Sequence, residues 1–207
     1  MKNILVPCDF SLEAVHAYRF AVEIASVTGG KVLVLHIIDF SSANENDMSA
    51  HTYKDQIALL SLLMEKAEDD FEDLRSNMGI AYDRAGFILE IGTVKETVFK
   101  ITCEQQIDLV ITGASSGKWF EEHRTLSDTE GSVLSIYVPL LTMHHAMHVS
   151  DVQELIVVLP DYMELDGDMA DKIKVLQNLF HAEIRLVNEI KDRNPQGSIY
   201  YMLPNAL

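Results

Sequence analysis

The chain predicts an α/β protein: an open, mostly parallel, five-stranded doubly wound sheet followed by a C-terminal βαβ half-domain. Three observations carry this. Short apolar runs alternate five times with helical segments up to about Met143, which is the pattern of strands joined by crossover helices that cover both sheet faces. The runs are rich in Val, Leu and Ile, as strands buried on both faces require. Finally, a shift of 152 positions brings the opening unit back without a gap.

The first strand is Asn3 to Val6, closed by Pro7-Cys8-Asp9. Ser11 is a side-chain cap for the helix Leu12 to Val27. Ala14, Tyr18, Ala21, Val22 and Ala25 share one face of it at helical spacing. Gly29-Gly30 ends that helix and Lys31 to Ile38 forms the second strand, which makes a right-handed parallel crossover. Asp39 to Tyr53 is polar and reads as a loop. Lys54 to Met78 is a long amphipathic helix with Leu60, Leu63, Ala67, Phe71 and Leu74 inward. The third strand lies within Tyr82 to Glu90. Thr93 and Glu96 have the spacing of a capping box for a helix whose Val94, Val98 and Ile101 face inward. Asp108 to Thr112 is the fourth strand, Asp128 to Tyr137 a short helix, and Pro139 to Met143 a fifth strand at an edge.

His144 to Val152 is a linker, giving domains at 1–147 and 148–207. Beyond it Ile156-Val157-Val158 repeats Ile4-Leu5-Val6, Asp161-Tyr162 repeats Asp9-Phe10, and Ile184 to Val187 repeats Val32 to Leu35. The second copy stops after its second strand, with Ser198 to Leu203 as a further strand. A lone βαβ cannot bury both faces of its strands, so this truncated repeat is expected to dock on the first domain or on a partner chain.

Composition narrows the function classes. With 207 residues and 48% hydrophobic content the chain can bury a core. A net charge of −16 argues against nucleic acid and anionic membranes, which demand clustered Lys and Arg. The acidic run Glu65 to Asp73 is a solvated helix face. There is neither a membrane-spanning run nor a signal-like start, so a cytoplasmic location is expected. Two cysteines are too few for a disulfide framework. Cys8, at a strand end, is expected to be accessible.

The stretch from Asp108 to Asp128 has the order strand, loop, helix start. That geometry binds phosphate, because unpaired N–H groups and the positive helix end point at the anion. The backbone must also come close to the phosphate, which favours glycine in the loop. Gly113 is present; Ser116 and Leu126 carry side chains, and Ser127 follows.

These residues carry a resemblance. Asn3-Ile4-Leu5-Val6-Pro7-Cys8-Asp9-Phe10-Ser11 resembles the opening of universal stress proteins, Val34 to Asp39 their second strand, and Asp108 to Gly113 their fourth. Val138-Pro139-Leu140-Leu141 resembles their last strand, which in that family often pairs two subunits. The likeness covers about Lys2 to Met143. It implies a Rossmann-like strand order 3-2-1-4-5 and a nucleotide crevice at Asp9, Ile37, Gly113, Ser116, Ser127 and Asp128. ATP-binding members carry Gly, two residues, Gly, nine residues, Gly, then Ser or Thr. Gly113 and Ser127 fit that spacing, whereas Ser116 and Leu126 replace the second and third glycines. An alternative register through Gly117 and Gly131-Ser132 needs two insertions. Lys118 and Arg124 supply loop charge. Asp9 either holds a ribose or adenine or caps the first helix.

Further constellations stand outside the crevice. His144, His145 and His148, with Met143 and Met147, form a cluster of soft and imidazole donors suited to copper, nickel or zinc, or else a polar linker. His36 reads as a hydrogen-bonded core residue. Trp119-Phe120 either cover the crevice or anchor the C-terminal unit. No nucleophile elbow, Walker loop or supported acid–base pair is visible. The leading expectation is a non-enzymatic stress-response protein that binds no cofactor and acts as a homodimer or higher homo-oligomer with protein partners. The alternatives are an ATP-binding, weakly hydrolysing switch of the same fold, and a metal-handling protein using the His/Met linker.

Overall fold

The computed structural model describes residues 1–39, 53–77, 83–113, 138–143, 145–160, 167–191 and 198–202. They fall into two compact units, Met1–Ala146 and Met147–Leu207. The loop containing Ser116, Lys118, Trp119, Phe120, Arg124, Leu126, Ser127 and Asp128, the short helix expected from Asp128 to Tyr137, and His144 all lie outside the described residues.

The N-terminal unit runs β1 (Asn3–Pro7), α1 (Leu12–Thr28), β2 (Lys31–Ile38), α2 (Tyr53–Asn77), β3 (Ala85–Ile91), α3 (Val94–Glu104), β4 (Leu109–Gly113) and β5 (Leu140–Met143). Its sheet has the order β3-β2-β1-β4-β5, and every pairing is parallel. Register is fixed by burial: Ile4 pairs with Val32 on one side and Leu109 on the other, and all three are fully buried. Each such aliphatic side chain contributes about 1.5–3 kcal/mol when taken from water.

The two sheet faces are covered by different helices. Leu5, Leu33, Leu35 and Val110 pack with Val98 and Ile101 of α3 and with Ile107. On the other face α1 lies against β1, β4 and β2, burying Ala14, Tyr18, Ala21, Val22 and Ala25, the stripe read from spacing. Its small residues let the helix approach the sheet closely. Helix α2 docks through Ala67, Phe71 and Leu74, with the Phe71 ring stacked on Phe87 of β3 at 4.6 Å.

The ends of α1 are built as expected. The Ser11 hydroxyl accepts from the Ala14 N–H at 3.3 Å, and Gly29 closes the helix at φ 69°, where glycine adopts the left-handed turn without a Cβ penalty. The expected capping box on α3 does not form. The Thr93 hydroxyl donates to the Glu96 carboxylate at 3.0 Å instead of accepting from the backbone. A charged acceptor makes the stronger bond and draws the hydroxyl away from the helix end.

The C-terminal unit contains a short 3₁₀ turn (Val149–Asp151), β6 (Glu154–Pro160), α4 (Gly167–Phe180), β7 (Glu183–Lys191) and β8 (Ser198–Met202). β6 and β7 are parallel around α4, and β8 adds antiparallel to β7. Helix α4 buries Ile173, Leu176 and Phe180. The strand pairing is not a strict copy of the first unit. Ile4 pairs with Val32, but Ile156 pairs with Arg185, one residue beyond the repeat's partner. That slip puts Ile156 and Arg185 together on an exposed face, with Ile156 63% exposed and Arg185 ion-paired to Glu154.

Candidate functional site

The sheet order makes β1 and β4 neighbours, and the chain leaves them in opposite directions, to β2 on one side and β5 on the other. Open α/β sheets leave a crevice at the carboxyl ends of two such strands. Here it is bounded by the turn after Pro7 and by Gly113.

The β1–α1 turn is held by several contacts. The Asp9 carboxylate accepts from the Ser11 N–H at 3.0 Å, a local ring that fixes the turn, while Ser11 itself caps the helix. The Asp9 side chain is exposed. Phe10 sits at φ 60°, a conformation bulky residues rarely adopt. Its ring packs on His36 at 5.0 Å and lies 6.5 Å from Phe87. His36 Nδ1 donates to the Cys8 carbonyl at 2.8 Å, so His36 is hydrogen-bonded as its position suggested, but half-buried and not in the core. No sequence signal announces a left-handed Phe10, and the aromatic group Phe10, His36, Phe87 and Phe71 was not legible beforehand.

Gly113 ends β4 and is fully enclosed. A Cβ there would lie 2.7 Å from the Glu13 carbonyl carbon and 2.8 Å from the Ala14 nitrogen. The first turn of α1 therefore occupies the space a side chain would need. Ile37 is partly buried against the α3-side core cluster. Of the six residues assigned to the crevice, the structure describes Asp9, Ile37 and Gly113. Asp9 and Gly113 lie at the ends of neighbouring strands, and Ile37 at the end of the next.

Cys8 overturns an expectation. It is buried, not accessible, because its backbone continues β1 through a bond from its N–H to the Leu35 carbonyl at 2.8 Å. Burial pushes its thiol up to about 12, opposed by the Phe10 N–H and reinforced by the Asp9 and Asp70 carboxylates. A thiol held in that form is a poor nucleophile at neutral pH. Tyr18, buried beside it, is likewise raised, first by burial.

The family model described as "Universal stress protein family" matches residues 1–136.

The chain belongs to the universal stress protein family.

Among curated relatives, Universal stress protein MJ0577 of Methanocaldococcus jannaschii is 23% identical over 154 residues, 69% of this chain and 94% of the relative. Among solved structures, universal stress protein UspA from Lactobacillus plantarum shares 21% identity at a TM-score of 0.47, covering 69% of this chain and 97% of its own. A universal stress protein from Archaeoglobus fulgidus aligns at a TM-score of 0.56 and 16% identity, covering 94% of this chain and 68% of its own. This last likeness in fold extends through both units.

Of the linker histidines in this universal stress protein family member, the structure describes His145 and His148. His145 is exposed. The His148 side chain accepts from the Asp151 N–H, and the Asp151 carboxylate accepts from the His148 N–H at 2.9 Å, so the two cap the 3₁₀ turn. Among the described residues no group of three His, Cys, Asp or Glu side chains is placed to hold a metal. Nor is any described helix long and apolar enough to cross a membrane.

Proposed function

We propose that the chain is a non-enzymatic stress-response protein that works through self-association and protein partners, around a nucleotide crevice whose phosphate grip is lost. The observation that supports this most is the crowding at Gly113. Its missing side chain is accounted for by the α1 backbone, so this glycine is needed with or without a ligand. The other two positions of the family's glycine motif carry Ser116 and Leu126. No motif glycine is then left over to bring the main chain against a phosphate, and Leu126 places an apolar side chain beside Ser127 at the expected helix entry.

Calorimetry with magnesium and ATP tests this reading. Wild-type protein is expected to give no saturable heat in the micromolar range, and Ser116→Gly with Leu126→Gly is expected to gain affinity. Micromolar binding by the wild type overturns the proposal.

One arrangement favours a second reading, an ATP-binding switch. β1 and β4 are neighbours, and Asp9 stands exposed at the crevice they bound. Under that reading ATP raises the melting temperature, by linkage to the folded state, and Asp9→Ala abolishes the rise.

A further inference from the structure

Helix α2 carries an unusual stripe on its solvent side. Asp55, Leu59, Leu62 and Lys66 follow one another at steps of four, three and four residues, so they share one side of the helix. The stripe runs beside the inward face that buries Ala67, Phe71 and Leu74. Asp55 and Lys66 are exposed, and so are Leu59 at 48% and Leu62 at 61%. Two neighbouring leucines left in water on a helix that already has a buried face call for a partner.

The stripe is its own complement. Read from either end, it runs charge, leucine, leucine, opposite charge, with equal spacing about the midpoint between Leu60 and Ser61. We propose that a second copy of this chain docks here, α2 against α2, antiparallel, across a two-fold axis through that midpoint. Leu59 then meets Leu62 of the partner subunit, and Asp55 meets Lys66 of the partner subunit, each contact occurring twice, as an isologous interface demands.

Charge decides the direction. The C-terminal half of α2 exposes Glu68, Asp69, Glu72 and Asp73. A parallel pair would set these acidic halves side by side, whereas the antiparallel pair carries them to opposite ends. In a chain of net charge −16 that difference is large, since like charges in apposition oppose docking. A seam of three helical turns buries less than the roughly 800 Å² per partner of a standard interface. The contact is therefore weak and concentration-dependent. It assigns a surface to the self-association proposed above and rests on that reading.

Sedimentation equilibrium over a concentration series tests it with full-length protein. Leu62→Glu is expected to remove one association step. Asp55→Lys and Lys66→Asp are each expected to weaken that step about tenfold or more, because each sets like charges opposite one another. An equimolar mixture of these two variants is expected to recover it. One chain then carries two lysines along the seam and the other two aspartates, so opposite charges meet at both contacts. Positions 55 and 66 lie three turns apart in one helix, so recovery on mixing has no explanation within a single chain. An oligomer unchanged by Leu62→Glu, or a mixture no tighter than its components, overturns the α2 surface alone. A wild-type chain that is monomeric throughout overturns self-association as well.

Discussion

A β-carbon on Gly113 would stand 2.8 Å from the backbone nitrogen of Ala14. The end of β4 and the first turn of α1 are thus locked at a distance only glycine permits. Gly113→Ala is expected to push these backbones apart and cost about 1–3 kcal/mol. In a chain of this size each kcal/mol corresponds to roughly 2–4 °C of melting temperature. An unchanged denaturant midpoint would show that the contact is looser than described.

The two helix starts should respond differently to the same kind of substitution. Ser11→Ala removes a side-chain cap and is expected to cost about 1 kcal/mol. The Thr93 side chain makes no bond to its helix backbone, so Thr93→Ala should cost only about a few tenths of that. Equal losses in urea titrations would contradict the assigned bonding of Thr93.

Gln106 and His181 each follow a helix in the left-handed region, at φ 48° and 51°. Both are exposed. Gln106→Gly and His181→Gly are expected to stabilise the fold by up to about 1 kcal/mol each, since glycine carries no Cβ penalty there. A loss of stability would mean that their side chains hold contacts worth more than the strain.

The two thiols should separate cleanly. In native protein at neutral pH a chromogenic disulfide reagent is expected to react quickly with exposed Cys103 only, and Cys103→Ser should remove that reaction. Cys8 should react after unfolding. Its folded pKa, about 12, lies above the ordinary value of 9.0. The raised value means that the folded state holds its proton to higher pH than the unfolded chain does. The associated stability is fully present below pH 9 and is lost as pH rises from 9 through 12. Cys8→Ala should flatten part of that decline; an identical slope would place the alkaline sensitivity elsewhere.

The alternation of strands and helices was legible because each element buries a continuous or periodic apolar run. α1 shows this most directly: its inward stripe from Ala14 to Ala25 can be read from spacing alone. The strand order matches what the family resemblance implies. What could not be read depends on contacts between distant positions. Phe10 turns left-handed where its ring meets His36 and Phe87. Gly113 is glycine because Glu13 and Ala14 arrive from another part of the chain. The Thr93 hydroxyl has two possible partners at the same spacing, and sequence does not say which one wins. Cys8 lies two residues past the apolar run, yet it is buried because the strand's hydrogen bonding to β2 carries on through it.

The one-residue offset between the two strand pairs bears on which strand β7 is built to accompany. Aligned on the shift of 152 positions, β7 corresponds to β2, the neighbour of β1. The repeat aligns Arg185 with Leu33, which is buried in the N-terminal core. A guanidinium in the place of Leu33 would have to be dehydrated, a penalty of several kcal/mol. Arg185 is held instead on an exposed strand face, opposite Ile156, where its guanidinium reaches Glu154.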